Sequence, residues 1–423
     1  MVKSFGHCVN MLNSRRKPSN AMKITRGYKT ELALNNKQRT ACLQHAGAAR
    51  FAYNWALNRK SEAYKKGEKV PTAIDLHREL NQLKQTELSW MYGVSKCAPQ
   101  EALRHVDKAY DNFFRKVKLR KQGKFKGKVG FPKFKKKSKG IGSFRFTTGA
   151  IKVFPDAIQL PRLGELRLKE HDYLPTSGVH ILSATVSEQA GHWFVSIQVE
   201  EERQEPAKTA TTAIGIDLGI TTLATCSDGV EFPNPRSLKH KLKKLKRLQR
   251  VHSRKQKGSK NREKSRKKLA VLHARIAHIR KDSIHKFTTH VCKNHAHIGI
   301  EDLYVAGMLK NHHLAQAIAD TSMGEVKRHL TYKAEKFATR IVQIDRFYPS
   351  SKTCSACQFV LDELSLSIRS WQCPNCHTWH ERDLNAAKNI LAVSFLERLN
   401  ACGAASSGLV ATLSETSRVE ART

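Results

Sequence analysis

The stretch AIGIDLGITTLATCSDGVEF, residues 213–232, predicts the centre of the fold. Its first five residues form an apolar run that ends in Asp217, and Gly219 then permits a turn into a second apolar run. A Ser-Asp-Gly triplet at 227–229 marks another turn before a third run. The pattern therefore predicts three consecutive strands, with a carboxylate at the end of the first.

Two further carboxylates occupy comparable places. HIGIEDL, residues 297–303, is an apolar run followed by Glu301, and RDLNAAKNI, residues 382–390, puts Asp383 at the start of an alanine-rich helix. A carboxylate at the end of a buried strand needs a cation. Singly, each acid is explained as a strand-end residue or helix cap with a Lys or Arg partner. Together, in a basic chain, the three acids favour a site for two Mg²⁺ ions that hydrolyses phosphodiester bonds.

The charge of the chain predicts a polyanionic partner. Its 423 residues include 76 Lys or Arg and 36 Asp or Glu, a formal net charge of +40, and nucleic acid is the first expectation. An anionic membrane is the alternative, but no apolar run reaches membrane-spanning length, and residues 1–21 lack the apolar core of a signal peptide. A cytoplasmic protein without a membrane partner is expected.

The basic residues are densest between positions 236 and 286, where 21 Lys or Arg face two acids. Two apolar stripes at helical spacing flank the sequence KQKGSKN, which predicts a helical hairpin. A segment with this charge would repel itself strongly without phosphates or counterions. We therefore expect the hairpin to contact nucleic acid, through residues that include Arg247, Arg250 and Arg254.

Four of the ten cysteines have the spacing of a zinc ribbon. They form two CxxC pairs separated by fifteen residues: Cys354, Cys357, Cys373 and Cys376. The alternative, a pair of redox motifs, lacks a thioredoxin-like setting. A zinc knuckle prefers glycine directly after its second cysteine, where the backbone is left-handed, but Gln358 and His377 stand there. The lone Cys42, Cys97 and Cys292 are expected in hydrophobic cores.

The first half of the chain predicts a β-barrel with a helical insertion. A loosely alternating run from Met22 gives way to helical spacing, with Ala48, Phe51, Ala52 and Trp55 on one face. A lysine- and glycine-rich loop then leads into short alternating runs separated by Gly, Pro and Asp.

The chain order of the acids and strands resembles the RNase H-like fold of RuvC nucleases. Further segments extend the resemblance: GFPKFKKKS at 130–138, SFRFT at 143–147, IGIEDLYVAGML at 298–309 and SSKTCSACQ at 350–358. With these, the sequence resembles TnpB proteins, the OrfB products of insertion sequences, from about Met22 to Val393. Members of that family are compact RNA-guided DNA endonucleases related to type V CRISPR effectors.

The resemblance implies a multidomain chain of α+β and α/β parts. A β-barrel wedge domain would comprise 22–44 and 133–205, with a helical recognition domain at 45–132 inserted. A RuvC-like nuclease domain would comprise 211–347 and 381–396, including the basic hairpin at 236–286, with a zinc ribbon at 348–380 inserted. Residues 1–21 and the small, polar tail at 397–423 are expected to be disordered.

The resemblance also implies roles for residues. The catalytic acids carry over to Asp217, Glu301 and Asp383, which would hold two Mg²⁺ or Mn²⁺ ions, and one structural Zn²⁺ would be held by the four cysteines. Glu381 stands where the family more often has aspartate, and Asp302 is assigned no catalytic role.

The partners implied by the resemblance are a guide RNA from the transposon end and a double-stranded DNA target. A short flanking DNA motif would be read by the helical domain and the barrel, with these contact residues: Tyr53, Asn54, Lys133, Lys135, Lys136 and Lys137. A solvated loop is the alternative for the lysine run. A nuclease-inactive RNA-guided repressor, or a transposase or regulator of transposition, is the alternative function.

Overall fold

The computed structural model describes residues 22–147, 150–203, 212–365 and 367–401. The chain divides into two compact units, with the boundary between Glu205 and Pro206. The disorder expected for 1–21 and for 402–423 lies outside the described residues. Within them, no helix is long and apolar enough to cross a membrane.

The first unit contains a four-stranded antiparallel sheet of order β1-β7-β6-β2 and a three-stranded antiparallel sheet of order β3-β4-β5. Alternate residues of β7 (Val195, Ile197 and Val199) point into the core, as expected for a sheet with one covered face. The strands are β1 Met22–Leu32, β2 Ser143–Phe146, β3 Lys152–Val153, β4 Ala157–Leu160, β5 Gly164–Arg167, β6 Val179–Gln189 and β7 His192–Arg203.

Three α-helices lie between β1 and β2 in the chain: α1 Asn36–Lys65, α2 Ala73–Gln85 and α3 Cys97–Lys121. The Asn35 side chain caps α1 by accepting a hydrogen bond from the Gln38 amide at 2.9 Å. Of the face predicted for this helix, Ala48 and Ala52 are buried. Phe51, which the spacing puts on the same face, is 38% exposed, and its ring packs edge-on against Trp90.

The second unit is built on a five-stranded mixed sheet of order β10-β9-β8-β11-β12. The three strands predicted from residues 213–232 are present as an antiparallel meander, and β11 is parallel to both β8 and β12. The strands are β8 Ala213–Asp217, β9 Thr222–Cys226, β10 Glu231–Pro233, β11 His297–Glu301 and β12 Arg340–Ile344.

The helices of this unit are α4 Ser237–Ser253, α5 Lys260–Asn294, α6 Val305–Met308, α7 Ala315–Thr321, α8 Met323–Phe337 and α9 Arg382–Ala401. Helices α4 and α5 form the predicted hairpin, closed by Leu245, Leu272 and Ile276. Helix α5 continues eight residues past the predicted end of the hairpin at 286. Helix α9 runs to Ala401, so residues 397–401 are helical and the expected tail cannot begin at 397.

Candidate metal centres

The three acids predicted from the sequence meet at one edge of the second unit's sheet. Asp217 ends β8 and Glu301 ends the parallel neighbour β11, with Ile216 opposite Ile300 one residue earlier. Asp383 lies in the first turn of α9, which packs against both strands. All three side chains are half-buried. Parallel strands and one covering helix therefore bring together residues far apart in the sequence.

The electrostatics of this edge show mutual repulsion. Burial, together with the negative charges of Glu301 and Asp383, raises the pKa of Asp217 from 3.8 to about 7. Arg382 and a backbone hydrogen bond from Leu218 act in the opposite direction without cancelling the shift. A bound cation would relieve this repulsion, and carboxylate oxygens are the ligands that Mg²⁺ prefers.

Glu301 has a neutral hydrogen-bond partner, whereas Asp383 has a cationic one. The Ser350 hydroxyl donates to Oε1 of Glu301 at 2.5 Å. Arg369 Nη1 lies 3.6 Å from Oδ1 of Asp383, a half-exposed ion pair. Asp302, next to Glu301, pairs instead with Lys327 at 3.1 Å and with Arg346. Asp302 thus has two cationic side chains as partners.

Two glycines allow α9 to lie directly on the sheet. Gly215 in β8 and Gly299 in β11 are paired across the parallel ladder. A Cβ atom on Gly215 would be 2.1 Å from the carbonyl oxygen of Ala387, and one on Gly299 would be 2.6 Å from Ser394 Oγ. The helix that carries Asp383 can come this close because neither strand has a side chain there.

The four predicted cysteines converge on one point in the second unit. Their Sγ atoms all lie within 4.8 Å of one another. The Cys354–Cys376 and Cys357–Cys373 sulfur pairs are each 3.6 Å apart. A tetrahedral zinc with four thiolates requires an S–S distance of about 3.8 Å. The residues therefore fit one structural Zn²⁺, beside a two-stranded ribbon of β13 Ser370–Gln372 and β14 Trp379–Glu381.

Both knuckles adopt the predicted left-handed backbone without glycine. Gln358 has φ +63° and His377 has φ +58°. The amides of these residues donate to the carbonyl oxygens of Cys354 and Cys373, each at 2.9 Å. A backbone hydrogen bond thus closes the turn at each cysteine pair, at the cost of two strained residues.

The sulfurs also have neighbours that the sequence did not indicate. His380 Nε2 lies 3.0 Å from Cys354 Sγ, a contact of the kind that orients a metal ligand. Hydrogen bonds from Thr378 lower the pKa of Cys376 to about 6, which favours the thiolate that zinc requires. The lone Cys42, Cys97 and Cys292 are buried in cores, as predicted.

Of the residues predicted to contact nucleic acid, three form a local structure in the first unit. Tyr53 is buried, and Lys135 Nζ lies 4.0 Å above its ring. The Asn54 side chain donates to the Lys135 carbonyl at 2.9 Å and accepts from its amide at 2.8 Å. Asn54 therefore anchors the lysine loop. Lys133, Lys136 and Lys137 are exposed, and contact with nucleic acid stays a prediction for all six residues.

The basic hairpin presents its predicted arginines to solvent. Arg247, Arg250 and Arg254 are exposed, opposite the apolar seam. The buried Asp320 of α7 caps the start of α4 by accepting from the amides of Leu238 and Lys239 at 3.0–3.1 Å. Since this cap comes from another helix, the base of the hairpin is tied to the rest of the unit.

Comparison with known proteins places the chain in a class of transposon-encoded proteins. The OrfB model of IS605-type elements, described as "Probable transposase", matches residues 196–312. A model described as "Cas12f1-like, TNB domain" matches 324–390, and one described as "Helix-turn-helix domain" matches 22–69.

Relatives that match this chain over most of their length show to which family it belongs. A "Putative RNA-guided DNA endonuclease" of Streptomyces pristinaespiralis is 36% identical over 383 residues, covering 90% of this chain and 91% of the relative. "Putative RNA-guided DNA endonuclease InsQ" of Escherichia coli (strain K12) is 34% identical, with 90% and 95% covered. The chain belongs to the TnpB (OrfB) family.

A solved structure described as "Cryo-EM structure of the Cas12f1-sgRNA-target DNA complex" is also similar, with 87% of this chain and 99% of that chain covered. The identity is 15% and the TM-score 0.34, so the likeness is too distant to support conclusions about this chain.

Proposed function

We propose that the protein is an RNA-guided DNA endonuclease of an insertion sequence, which cleaves DNA that matches its guide and lies next to a short flanking motif. The observation that carries the nuclease assignment is the convergence of Asp217, Glu301 and Asp383 at one sheet edge, where their charges raise the pKa of Asp217. RNA guidance is supported by the names of the full-length relatives.

The proposal includes a RuvC-like nuclease domain of the RNase H-like fold, formed by 211–347 and 381–396 with the zinc ribbon at 348–380 inserted. The strand order supports it, because three antiparallel strands are followed by two parallel ones with acids at the ends of β8 and β11. The first unit would supply the wedge domain at 22–44 and 133–205 and the recognition domain at 45–132.

In the proposed mechanism, the three acids bind divalent cations and orient them toward the scissile phosphate. Two Mg²⁺ ions, or Mn²⁺, would supply activation of a water molecule and stabilisation of the leaving oxygen. Asp217 must lose its proton to serve as a ligand, and Arg382 favours that loss. The cysteine site is closed and supplies no chemistry. Its fixed ribbon leads directly into Arg382 and Asp383 at the start of α9.

The basic surface has a separate role in this proposal. In RNA-guided recognition, base pairing reads the sequence while the protein holds the backbone of the guide and target strands. The exposed arginines of the α4–α5 hairpin suit contacts to phosphates, which require charge without base-specific geometry. A guide RNA from the transposon end and double-stranded DNA are the partners we propose.

The test is guided cleavage by the purified full chain. The protein is co-expressed with RNA from its own locus, the bound RNA is sequenced, and plasmids with and without the matching sequence are incubated with Mg²⁺. Cleavage of the matched plasmid should be lost in Asp217→Asn and retained in the control Asp302→Asn. Tight guide-dependent binding without cleavage by the parent would favour the repressor function, and the absence of any discrete bound RNA would contradict RNA guidance.

A further inference from the structure

Glu301 is held by a residue outside the acid cluster. Ser350 follows β12 and precedes Cys354 by four residues, and its hydroxyl donates to Oε1 of Glu301 at 2.5 Å. Ser350 is only 6% exposed. A partly buried hydrogen bond to one carboxylate oxygen restricts the rotation of the carboxylate and thereby directs its other oxygen.

The backbone that carries Ser350 is itself fixed by two buried asparagines of α9. Asn389 Nδ2 donates to the carbonyl oxygens of Ser350 at 2.8 Å and Thr353 at 2.6 Å. Asn385 Nδ2 donates to the same Thr353 carbonyl at 2.7 Å, and its Oδ1 accepts from the Ser355 amide at 2.9 Å. The two asparagines are four residues apart and so share one face of the helix.

The same helix carries Asp383 in its first turn. Helix α9 thus carries Asp383 itself. It also contacts the residue that holds Glu301, because Asn389 binds the backbone of Ser350. The segment between Ser350 and Ser355 also contains the first zinc ligand, Cys354, so the zinc knuckle and the acid cluster share a support.

We propose that Ser350 is a positioning residue for Glu301, and that Asn385 and Asn389 hold it in place, so that α9 fixes the relative positions of Glu301 and Asp383 for binding divalent cations. This inference rests on the proposed metal site. A neutral hydroxyl suits the role, because it orients the carboxylate without cancelling the negative charge that attracts the cation. A lysine or arginine at this position would compete with the cation for the carboxylate.

The experiment measures metal binding separately from cleavage. Zinc-loaded full-length protein without nucleic acid is titrated with Mn²⁺, and free Mn²⁺ is followed by electron paramagnetic resonance. The binding that Asp217→Asn removes defines the site. Ser350→Ala should weaken that binding about tenfold, the lower end for loss of a residue that orients a metal ligand. Ser350→Thr, which keeps a hydroxyl, should restore most of it. Ser351→Ala is the matched control and should bind as the parent does.

A purely structural role of Ser350 predicts that Ser350→Ala lowers the melting temperature but keeps the Mn²⁺ affinity of the parent. Parental Mn²⁺ affinity in folded Ser350→Ala with the zinc content of the parent therefore overturns the inference, whatever its melting temperature. Should the alanine variant fail to fold, Ser350→Cys replaces it, since a thiol is close in size but a weak donor. Parental Mn²⁺ affinity in the folded cysteine variant would equally overturn the proposal.

Guided cleavage of the matched plasmid separates the two proposals. If the parent binds Mn²⁺ through Asp217 and Ser350→Ala weakens that binding, but the parent cuts no DNA, the proposed function fails and the inference stands. If the parent cuts DNA and Ser350→Ala binds Mn²⁺ normally, the inference fails and the function stands. Absence of Asp217-dependent Mn²⁺ binding in the parent overturns the inference.

Discussion

Gly215 lies so close to α9 that a Cβ atom on it would be 2.1 Å from the carbonyl oxygen of Ala387 and 2.6 Å from the amide nitrogen of Leu391. Both are backbone atoms, so no side-chain rotation can relieve the contact. Gly299, the partner of Gly215 in β11, would bring a Cβ 2.6 Å from Ser394 Oγ, 2.8 Å from Ser394 Cβ and 3.0 Å from the carbonyl oxygen of Ile390. The closeness of helix and sheet at Gly215 helps to set the depth at which Asp383 enters the acid cluster.

Gly215→Ala should therefore displace α9 and lower the free energy of unfolding by roughly 1–3 kcal/mol or more, as overpacking of a core does. Gly299→Ala should lower the free energy of unfolding by less, because the closest contact of its Cβ would be longer than that at Gly215. The matched control is Gly324→Ala in α8, where an added Cβ would have no neighbour within 4 Å, and helix propensity predicts a gain of up to about 1 kcal/mol. Urea unfolding measures all three, and parental stability of Gly215→Ala would contradict the close packing.

The raised pKa of Asp217 predicts a stability that depends on pH in the absence of Mg²⁺. The unfolded chain releases this proton near the ordinary value of 3.8, whereas the folded protein keeps it up to about pH 7. The folded state therefore binds more protons between these values, and its stability falls as the pH rises through them. Asp217→Asn cannot ionise, so it should be more stable than the parent at pH 8, by up to about 4 kcal/mol.

Urea unfolding of zinc-loaded protein between pH 5.5 and 8, in Mg²⁺-free buffer without chelator, checks this expectation. The difference between variant and parent should grow with pH and should shrink when Mg²⁺ is added. Asp302→Asn is the control, because Lys327 and Arg346 lower the pKa of Asp302 and the variant should gain no stability at high pH. A constant difference across the pH range would show that Asp217 is not held protonated.

Much of the candidate site could be predicted because its signals are local in the sequence. An acid directly after an apolar strand, as at Asp217 and Glu301, and two CxxC pairs are patterns set within a few residues. Their convergence followed from topology, since parallel neighbouring strands end at one edge of a sheet.

The supports of the site could not be predicted in this way. The bond between Ser350 and Glu301 joins positions 49 residues apart, and a serine has no spacing rule that reveals its partner. Phe51 illustrates how far helical spacing can predict burial. It lies at one side of the face that it shares with Ala48 and Ala52, and its ring packs against Trp90 at the surface. The end of α9 at Ala401 was missed because the small residues near it resemble a disordered tail.

The left-handed backbone at His377 makes a stabilising substitution possible. His377 has φ +58° and is exposed, and its knuckle hydrogen bond is made by the backbone amide. Glycine adopts this conformation without strain, so His377→Gly should raise the stability of the zinc ribbon by about 1 kcal/mol. Competition with a zinc chelator, monitored by release of zinc, measures the effect.

The control for that prediction is Ser370→Gly in β13, an exposed strand position without positive φ. Glycine there should lower stability by roughly 0.5–1 kcal/mol, because it loses more conformational freedom on folding. If His377→Gly releases zinc faster than the parent does, the histidine side chain stabilises the zinc ribbon by more than the strained backbone destabilises it.

The exposed arginines of the α4–α5 hairpin predict how binding responds to salt. Each contact to a phosphate of duplex DNA contributes about 0.9 to the slope of log affinity against log salt concentration. Replacing Arg247, Arg250 and Arg254 together with alanine should therefore reduce the slope by up to about 2.7, with little change in melting temperature. Fluorescence anisotropy with a labelled 20-base-pair duplex (about two turns, enough to cover several phosphate contacts) gives the slope.

Arg266 provides the matched control on the same hairpin, because its guanidinium already pairs with Glu263 through contacts of 2.6 and 2.8 Å. Arg266→Ala should change the slope by less than about one phosphate contact. If the triple variant and the parent share the same slope, the phosphates are held elsewhere in the chain. If Arg266→Ala lowers the slope as strongly per residue as the triple variant, the hairpin acts through its total charge rather than through the face that carries Arg247, Arg250 and Arg254.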